Sequence, residues 1–204
     1  MYRYTTPGIF QLFNPLLTWK VSKEKEPVIY LTFDDGPHPE ITPWVLDQLN
    51  AFQAKATFFC VGDNVERYPE VVERIQAEGH SLGNHTFNHL NGWKSGNDFY
   101  LSNIEQCEAL TDTKLFRPPY GKIGPLQALK LKKSDYKVIM WTLLSRDYEK
   151  DLDVAESAYA LKKHSEAGSI ILFHDSEKAR HNLIQLLPDY LEHFHQRGFQ
   201  FKAL

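Results

Sequence analysis

Val28-Ile29-Tyr30-Leu31-Thr32-Phe33-Asp34-Asp35-Gly36-Pro37 is the stretch whose reading decides the fold. Its opening residues are apolar, β-branched or aromatic, the pattern of a strand buried on both faces. The run ends in two adjacent carboxylates and a Gly-Pro turn signal. Neighbouring aspartates just beyond a core strand repel each other unless a cation or a shared proton relieves them. An Asx-rich turn explains an isolated Asp-Asp-Gly-Pro equally well, so the reading depends on the residues at the ends of the other strands.

Outward from this stretch, apolar runs alternate with helical patterns almost to the C-terminus. Further strands are expected at residues 55–61, 80–83, 115–116, 137–142, 169–173 and 199–202. One helix is expected after Thr42-Pro43, with Thr42 as N-cap and Pro43 at the first helical position. Others start at Pro69, after the Gly- and Asn-rich residues 91–97, at Asp153 and around Leu183, and one between the third and the Asp153 helix ends near Ser134. Phe99, Ile104, Cys107 and Leu110 form the expected inner face of the third, and Leu183, Ile184, Leu187, Leu191 and Phe194 that of the last.

This alternation implies a parallel sheet in a single α/β domain. About seven strands with polar residues at their C-terminal ends favour a distorted (β/α) barrel, whose site lies on that rim. A doubly wound sheet is the alternative, but no G-x-G-x-x-G or Walker pattern follows the first strand.

Composition narrows the function classes. With 42% hydrophobic residues the 204-residue chain can build a sizeable core, and a net charge of -3 gives no reason to expect nucleic acid or an anionic membrane as partner. Cys60 and Cys107 are too few for a disulfide framework or a cysteine zinc site and read as core residues. No apolar run reaches the roughly 20 residues that span a bilayer. The N-terminus lacks the pattern of a signal peptide, so the chain is expected to be cytoplasmic, export by another route aside. A monomer is expected.

The residues with chemical potential all follow strands: Asp34 and Asp35, His85 and His89, Arg117, Asp147, His174. If His89 opens a helix, its imidazole and that of His85 can face one point. With Asp35 they make a two-histidine, one-carboxylate set with positions open for water and substrate, as in catalytic zinc sites. Hydrogen-bonded surface histidines are the bland alternative, and non-haem iron oxygenases share the ligand set. An oxygenase, however, needs no second carboxylate. Asp34 supplies one, placed to take a proton from a metal-activated water. Arg117 can hold Asp34 by a bidentate pair, against the alternative of a surface ion pair. His174 can protonate a departing amine. Asp147 is the candidate to orient His174, with Asp175 as rival, although strand alternation turns Asp175 to the opposite face.

Thr32-Phe33-Asp34-Asp35-Gly36-Pro37, His85-Thr86-Phe87-Asn88-His89, Arg117-Pro118-Pro119-Tyr120-Gly121 and Ile171-Leu172-Phe173-His174-Asp175 stand in the order and spacing of one family. Together they resemble the polysaccharide deacetylases of carbohydrate esterase family 4, the NodB-homology domain. The resemblance covers residues 27–204, leaving 1–26 as an N-terminal extension that packs on the barrel, with residues 9–17 a short helix or a covering segment.

The resemblance implies metal-dependent removal of N-acetyl groups from a GlcNAc-containing glycan, peptidoglycan or chitin-like. It makes Asp34 the base, Asp35, His85 and His89 the ligands of a divalent metal, Zn2+ first and Co2+, Ni2+ or Mn2+ as alternatives. It makes Arg117 the residue that orients Asp34, His174 the acid and Asp147 its tuner. The Tyr120 backbone N–H becomes an oxyanion donor, and Leu172 part of the acetyl-methyl pocket; Pro118 joins them at the substrate.

The segment Trp141-Thr142-Leu143-Leu144-Ser145-Arg146-Asp147-Tyr148 departs from the family pattern, which often has an acid near Leu144 and a tryptophan at Tyr148. Tyr148 keeps an aromatic wall and adds a hydroxyl, which bears on substrate preference. Trp93 is a sugar-stacking platform or a loop anchor packed into the barrel side. Other readings are hydrolysis of a small amide or cyclic imide, O-acetyl esterase action on xylan, and a non-catalytic glycan-binding module; the last should lack a site residue, and none is missing.

Overall fold

The structure, a computed structural model, describes residues 4–6, 15–21 and 26–204. In chain order its strands are β1 (Leu17–Thr18), β2 (Val28–Asp34), β3 (Ala56–Cys60), β4 (Ser81–Asn84), β5 (Leu115–Phe116), β6 (Lys137–Ile139), β7 (Leu143–Leu144), β8 (Ile170–His174) and β9 (Gln200–Phe201). Its helices are α1 (Ile41–Ala51), α2 (Gly62–Arg67), α3 (Pro69–Ala77), α4 (Asn97–Thr111), α5 (Pro125–Lys133), α6 (Val154–His164) and α7 (Arg180–His195).

β2 is the centre, paired in parallel with β3 on one side and β8 on the other. Every residue of β2 except Tyr30 is buried, which is why the run shows no polar alternation. Phe33 stacks on Phe58 at 5.1 Å and on Phe173 at 5.9 Å, and fully burying a side chain of this kind stabilises the fold by about 1.5–3 kcal/mol. The sheet runs β1-β6-β5-β4-β3-β2-β8-β7, with β9 on the start of β2, and its strand pairs are parallel.

The sheet curls into a distorted (β/α) barrel. Residues 140–142 carry the chain from β6 across to β7, and the seam is bridged by backbone hydrogen bonds. Met140 N donates to Thr18 O at 2.7 Å, Thr142 N to Ile170 O at 2.8 Å and Val21 N to Gly168 O at 2.9 Å. The described part of the first 26 residues thus supplies a strand and, at Thr5 and Lys20, two antiparallel bridges. Of the short helix or covering segment expected at residues 9–17, residues 9–14 lie outside the described residues, while 15 and 16 form a turn and Leu17 opens β1. Among the described residues no helix is long and apolar enough to cross a membrane.

Several local expectations are corrected. The strands outnumber the expected seven by β1 and β7, each only two residues long, too short to show periodicity. β6 ends at Ile139, and α2 precedes the helix at Pro69. Helix α1 begins at Ile41, so Thr42 is not its N-cap; its hydroxyl accepts from His38 N at 2.8 Å and donates to Asp175 Oδ2 at 2.5 Å. On α4 the buried face is Tyr100, Asn103, Ile104, Cys107 and Thr111, while Phe99 and Leu110 are exposed. Ile184 of α7 is exposed as well.

Candidate active site

The register sets Asp34 beside His174 at the C-terminal end of the sheet. There a cavity of about 440 Å³ opens, lined by both of these residues together with Asp35, His85 and His89.

Asp34, the last residue of β2, is 3% exposed, and its Oδ1 accepts from Arg117 Nη1 at 2.8 Å. The expected bidentate pair does not form, because the rest of the guanidinium is spent elsewhere. Nη1 also donates to Thr32 Oγ1 at 2.7 Å, Nε to Ile139 O at 3.1 Å and Nη2 to Met140 O at 2.9 Å. Arg117 is fully buried and lies over the Phe59 ring at 4.1 Å. A planar fork anchored at this many points has one orientation, and Asp34 Oδ2 stays on the cavity side.

Asp35 leaves the strand with a left-handed backbone, φ 78°, a conformation that costs a non-glycine residue free energy. The turn is pinned on all sides. Asp175 N donates to Asp34 O at 3.1 Å, Asn64 Nδ2 to Asp35 O at 2.8 Å, and Val61 N to Gly36 O at 2.9 Å. Gly36 N donates to Asp175 Oδ1 at 3.1 Å, and a Cβ on Gly36 would stand 2.1 Å from Asp175 Oδ2. Only glycine fits there. Asp175, the rival partner for His174, is therefore committed beneath this turn and to Thr42; burial pushes its carboxyl up to about 7.

His85 and His89 do not sit on a helix. They lie in the loop after β4, which turns through left-handed Thr86 (φ 62°) and His89 (φ 55°) and sets the two rings 5.1 Å apart. The loop is held by residues that polarity patterns did not single out. Asn103 of α4 accepts from Phe87 N and Asn88 N at 2.9 and 3.0 Å, and Asn84 Oδ1 accepts from Thr86 N at 2.9 Å. A buried asparagine inside an apolar helical face was the available signal, since such a group must find partners.

His85 Nδ1 lies 2.7 Å from Arg117 O, so that nitrogen donates and Nε2 carries the lone pair toward the cavity. His89 Nδ1 is 3.1 Å from the Tyr120 hydroxyl. His85 Nε2 and His89 Nε2 stand 3.7 and 3.1 Å from Asp35 Oδ1. The three ligand atoms lie within 4.8 Å of one another, close to the separation of donors sharing one ion at about 2.0–2.2 Å each. Burial, against the nearby Asp34, pushes His85 down to about 4. Burial alone would raise Asp35, but its hydrogen bond to His89 and the nearby histidines hold it well below the usual carboxylate range. A carboxylate and neutral imidazoles are the forms that bind a metal, so the donor set fits a divalent cation.

Across the cavity, His174 Nδ1 is 2.7 Å from Asp147 Oδ1, and His174 N donates to Asp147 Oδ2 at 2.8 Å. Asp147 is fully buried, and its backbone carbonyl accepts from Asn182 Nδ2 at 2.8 Å. Burial would lower His174, but the Asp147 charge and hydrogen bond outweigh it and raise the imidazole to about 9. Tyr148 stands edge-on to His174 at 5.0 Å. Leu172, Pro118 and Tyr120 also line the cavity, as do Trp141, Leu144 and Lys178, which no motif marks as site residues. Tyr120 has φ 60° within the turn Pro119–Gly121. Trp93 is not packed into the barrel side: it is 66% exposed, with Nε1 donating to Ile123 O at 3.0 Å.

Comparison with known proteins gives a consistent set. The family model described as "Polysaccharide deacetylase" matches residues 21–139. A peptidoglycan-N-acetylglucosamine deacetylase of Bacillus cereus is 33% identical over 192 residues, which span 91% of this chain and 89% of that protein. A chitooligosaccharide deacetylase of Azorhizobium caulinodans is 34% identical, over 72% of this chain and 73% of that one. A crystal structure of a peptidoglycan N-acetylglucosamine deacetylase in complex with 4-naphthalen-1-yl-N-oxidanyl-benzamide superposes with a TM-score of 0.88 and 30% identity, covering 98% of this chain and 95% of that one.

Proposed function

Since the chain belongs to the polysaccharide deacetylase family, we propose that it hydrolyses the acetamido group of an N-acetylated amino sugar within a glycan, giving acetate and a free amine. The observation that carries this reading is the convergence of three differently tuned groups on one cavity: Asp34 on Arg117, the Asp35–His85–His89 set, and His174 on Asp147.

Asp35, His85 and His89 would hold a divalent metal, most simply Zn2+ given two imidazoles and one carboxylate. When bound, such an ion polarises the amide carbonyl and acidifies water. Asp34, with Oδ1 fixed by Arg117, uses its other oxygen to accept a proton from the attacking water. The resulting oxygen nucleophile adds to the carbonyl carbon, and the Tyr120 peptide N–H donates a hydrogen bond to the carbonyl oxygen as negative charge builds there. His174, protonated at neutral pH, delivers the proton on Nε2 to the sugar nitrogen as the C–N bond breaks. Asp147 keeps Nδ1 occupied and compensates the imidazolium. Leu172, 2% exposed, Pro118 and the Tyr148 ring give the acetyl methyl an apolar seat.

The test is acetate release from N-acetylglucosamine oligomers and peptidoglycan fragments by metal-stripped protein, with and without zinc, beside Asp34→Asn. Zinc-dependent release that falls at least about 100-fold in the variant supports the reading, as loss of a base does. No release from any sugar while zinc binds tightly would overturn it.

A further inference from the structure

Among the described residues that line the cavity, Lys178 is the one charged group without a role in this chemistry. It lies in the turn after β8, where Ala179 is fully buried and Ala179 N donates to Ser176 O at 3.0 Å, so the backbone that carries it is fixed. Its ammonium sits 5.1 Å from the centre of the Tyr148 ring, and that ring stands edge-on to His174. The cation therefore belongs to the wall from which the sugar amine departs.

Several lysines of this chain, Lys20, Lys114, Lys130 and Lys162 among them, end on a glutamate or aspartate. Among the described residues Lys178 has no carboxylate partner, and its neighbour Glu177 is taken by Arg180 at 2.9 Å. The acids of the cavity do not compensate it either: Asp34 is turned to Arg117 and Asp35 to the two histidines. An uncompensated cation beside a concave site draws anionic ligands and disfavours cationic ones.

On the deacetylase reading, we infer that Lys178 is a specificity-determining residue that pairs with a carboxylate of the substrate. The glycan preferred here is then anionic: an N-acetylated amino sugar that carries a carboxylate itself, or one whose neighbouring sugar does, rather than a neutral N-acetyl oligomer. Both sources present the same group to the ammonium, and they differ in which sugar loses its acetyl.

Three substrates separate the possibilities: neutral N-acetylglucosamine oligomers, a glycan in which N-acetylglucosamine alternates with its 3-O-carboxyethyl derivative, and the same glycan with its carboxylates amidated. Lys178→Ala should lower kcat/KM for the carboxylate glycan about fivefold more than for the neutral oligomer, mainly through KM, as loss of one solvent-reached ion pair does. Amidation should cost the unaltered protein a similar factor, and added salt should erase the difference. Mass spectrometry of the product then shows whether the deacetylated sugar is the carboxylate-bearing one or its neighbour. Equal effects of Lys178→Ala on both glycans, or none, would overturn the inference. Calorimetric binding of the same glycans to Asp34→Asn, with and without Lys178→Ala, decides the point apart from turnover. If no sugar releases acetate, the deacetylase reading falls, yet weaker binding of the carboxylate glycan alone would still support Lys178, and unchanged binding would remove it.

Discussion

His85 and His174 line one cavity, the first buried and the second largely so, and are driven in opposite directions. Burial takes His85 down to about 4, whereas His174 is raised to about 9. The difference lies in what holds Nδ1. For His85 it is a neutral carbonyl, Arg117 O at 2.7 Å; for His174 it is a carboxylate, Asp147 Oδ1 at 2.7 Å. Burial is opposed at both, at His85 by Asp34 and Asp35 nearby, but only the directly bonded Asp147 charge outweighs it. One imidazole becomes a neutral donor for a metal, and the other a reservoir for a proton.

The contrast can be broken from the His174 side, where the largest effect is expected. Asp147→Asn keeps a hydrogen-bonding group but removes the charge, so burial of His174 is opposed only by the weaker pull of Asp35 and Asp34. The proton is then lost well below 9, and kcat should fall by roughly 10²–10⁴. Activity of the unaltered protein should decline as pH rises through about 9, and in the variant that alkaline limb should move to lower pH. The same shift acts on stability. Because the folded-state value of His174 lies above its unfolded value of 6.5, its stabilisation is complete below pH 6.5 and lost as pH rises through about 9. Urea midpoints measured across that window should show a larger loss in the parent than in Asp147→Asn.

From the other wall, His85→Ala should weaken zinc binding by at least about 100-fold, read by competition with a chromophoric chelator, with the circular dichroism of the fold retained. Affinity within threefold of the parent would remove His85 from the ligand set. The smallest effect is expected one contact further out. Tyr120→Phe deletes only the hydroxyl beside His89 Nδ1 and should cost about tenfold in zinc affinity, the lower end for an outer partner of a metal ligand.

Much of this was legible in the chain. The β2 run is apolar throughout because both faces are covered, and its abrupt change to Asp34-Asp35 marks the rim. The strand-end positions of Arg117 and His174 were readable for the same reason, and strand alternation turned Asp175 away from His174, where it meets Gly36. The histidine loop was not legible as built. A spacing of four suggested a helix, whereas left-handed Thr86 and His89 bring the rings together, and no polarity pattern encodes a positive φ. β1 and β7 escaped because two residues carry no period. The fork of Arg117 was misread because its other acceptors, Ile139 O and Met140 O, are carbonyls that any residue could provide.

By itself the sequence determined which chemical groups exist and that they cluster at strand ends, since side-chain type sets the inventory of donors, acceptors and charges, and burial periodicity locates the strands. The tertiary structure alone decided which group meets which. Whether an imidazole faces a carbonyl 32 positions away or a carboxylate 27 positions away depends on sheet register and loop closure, and through that partner's charge the same residue type becomes a metal donor on one wall and an acid on the other.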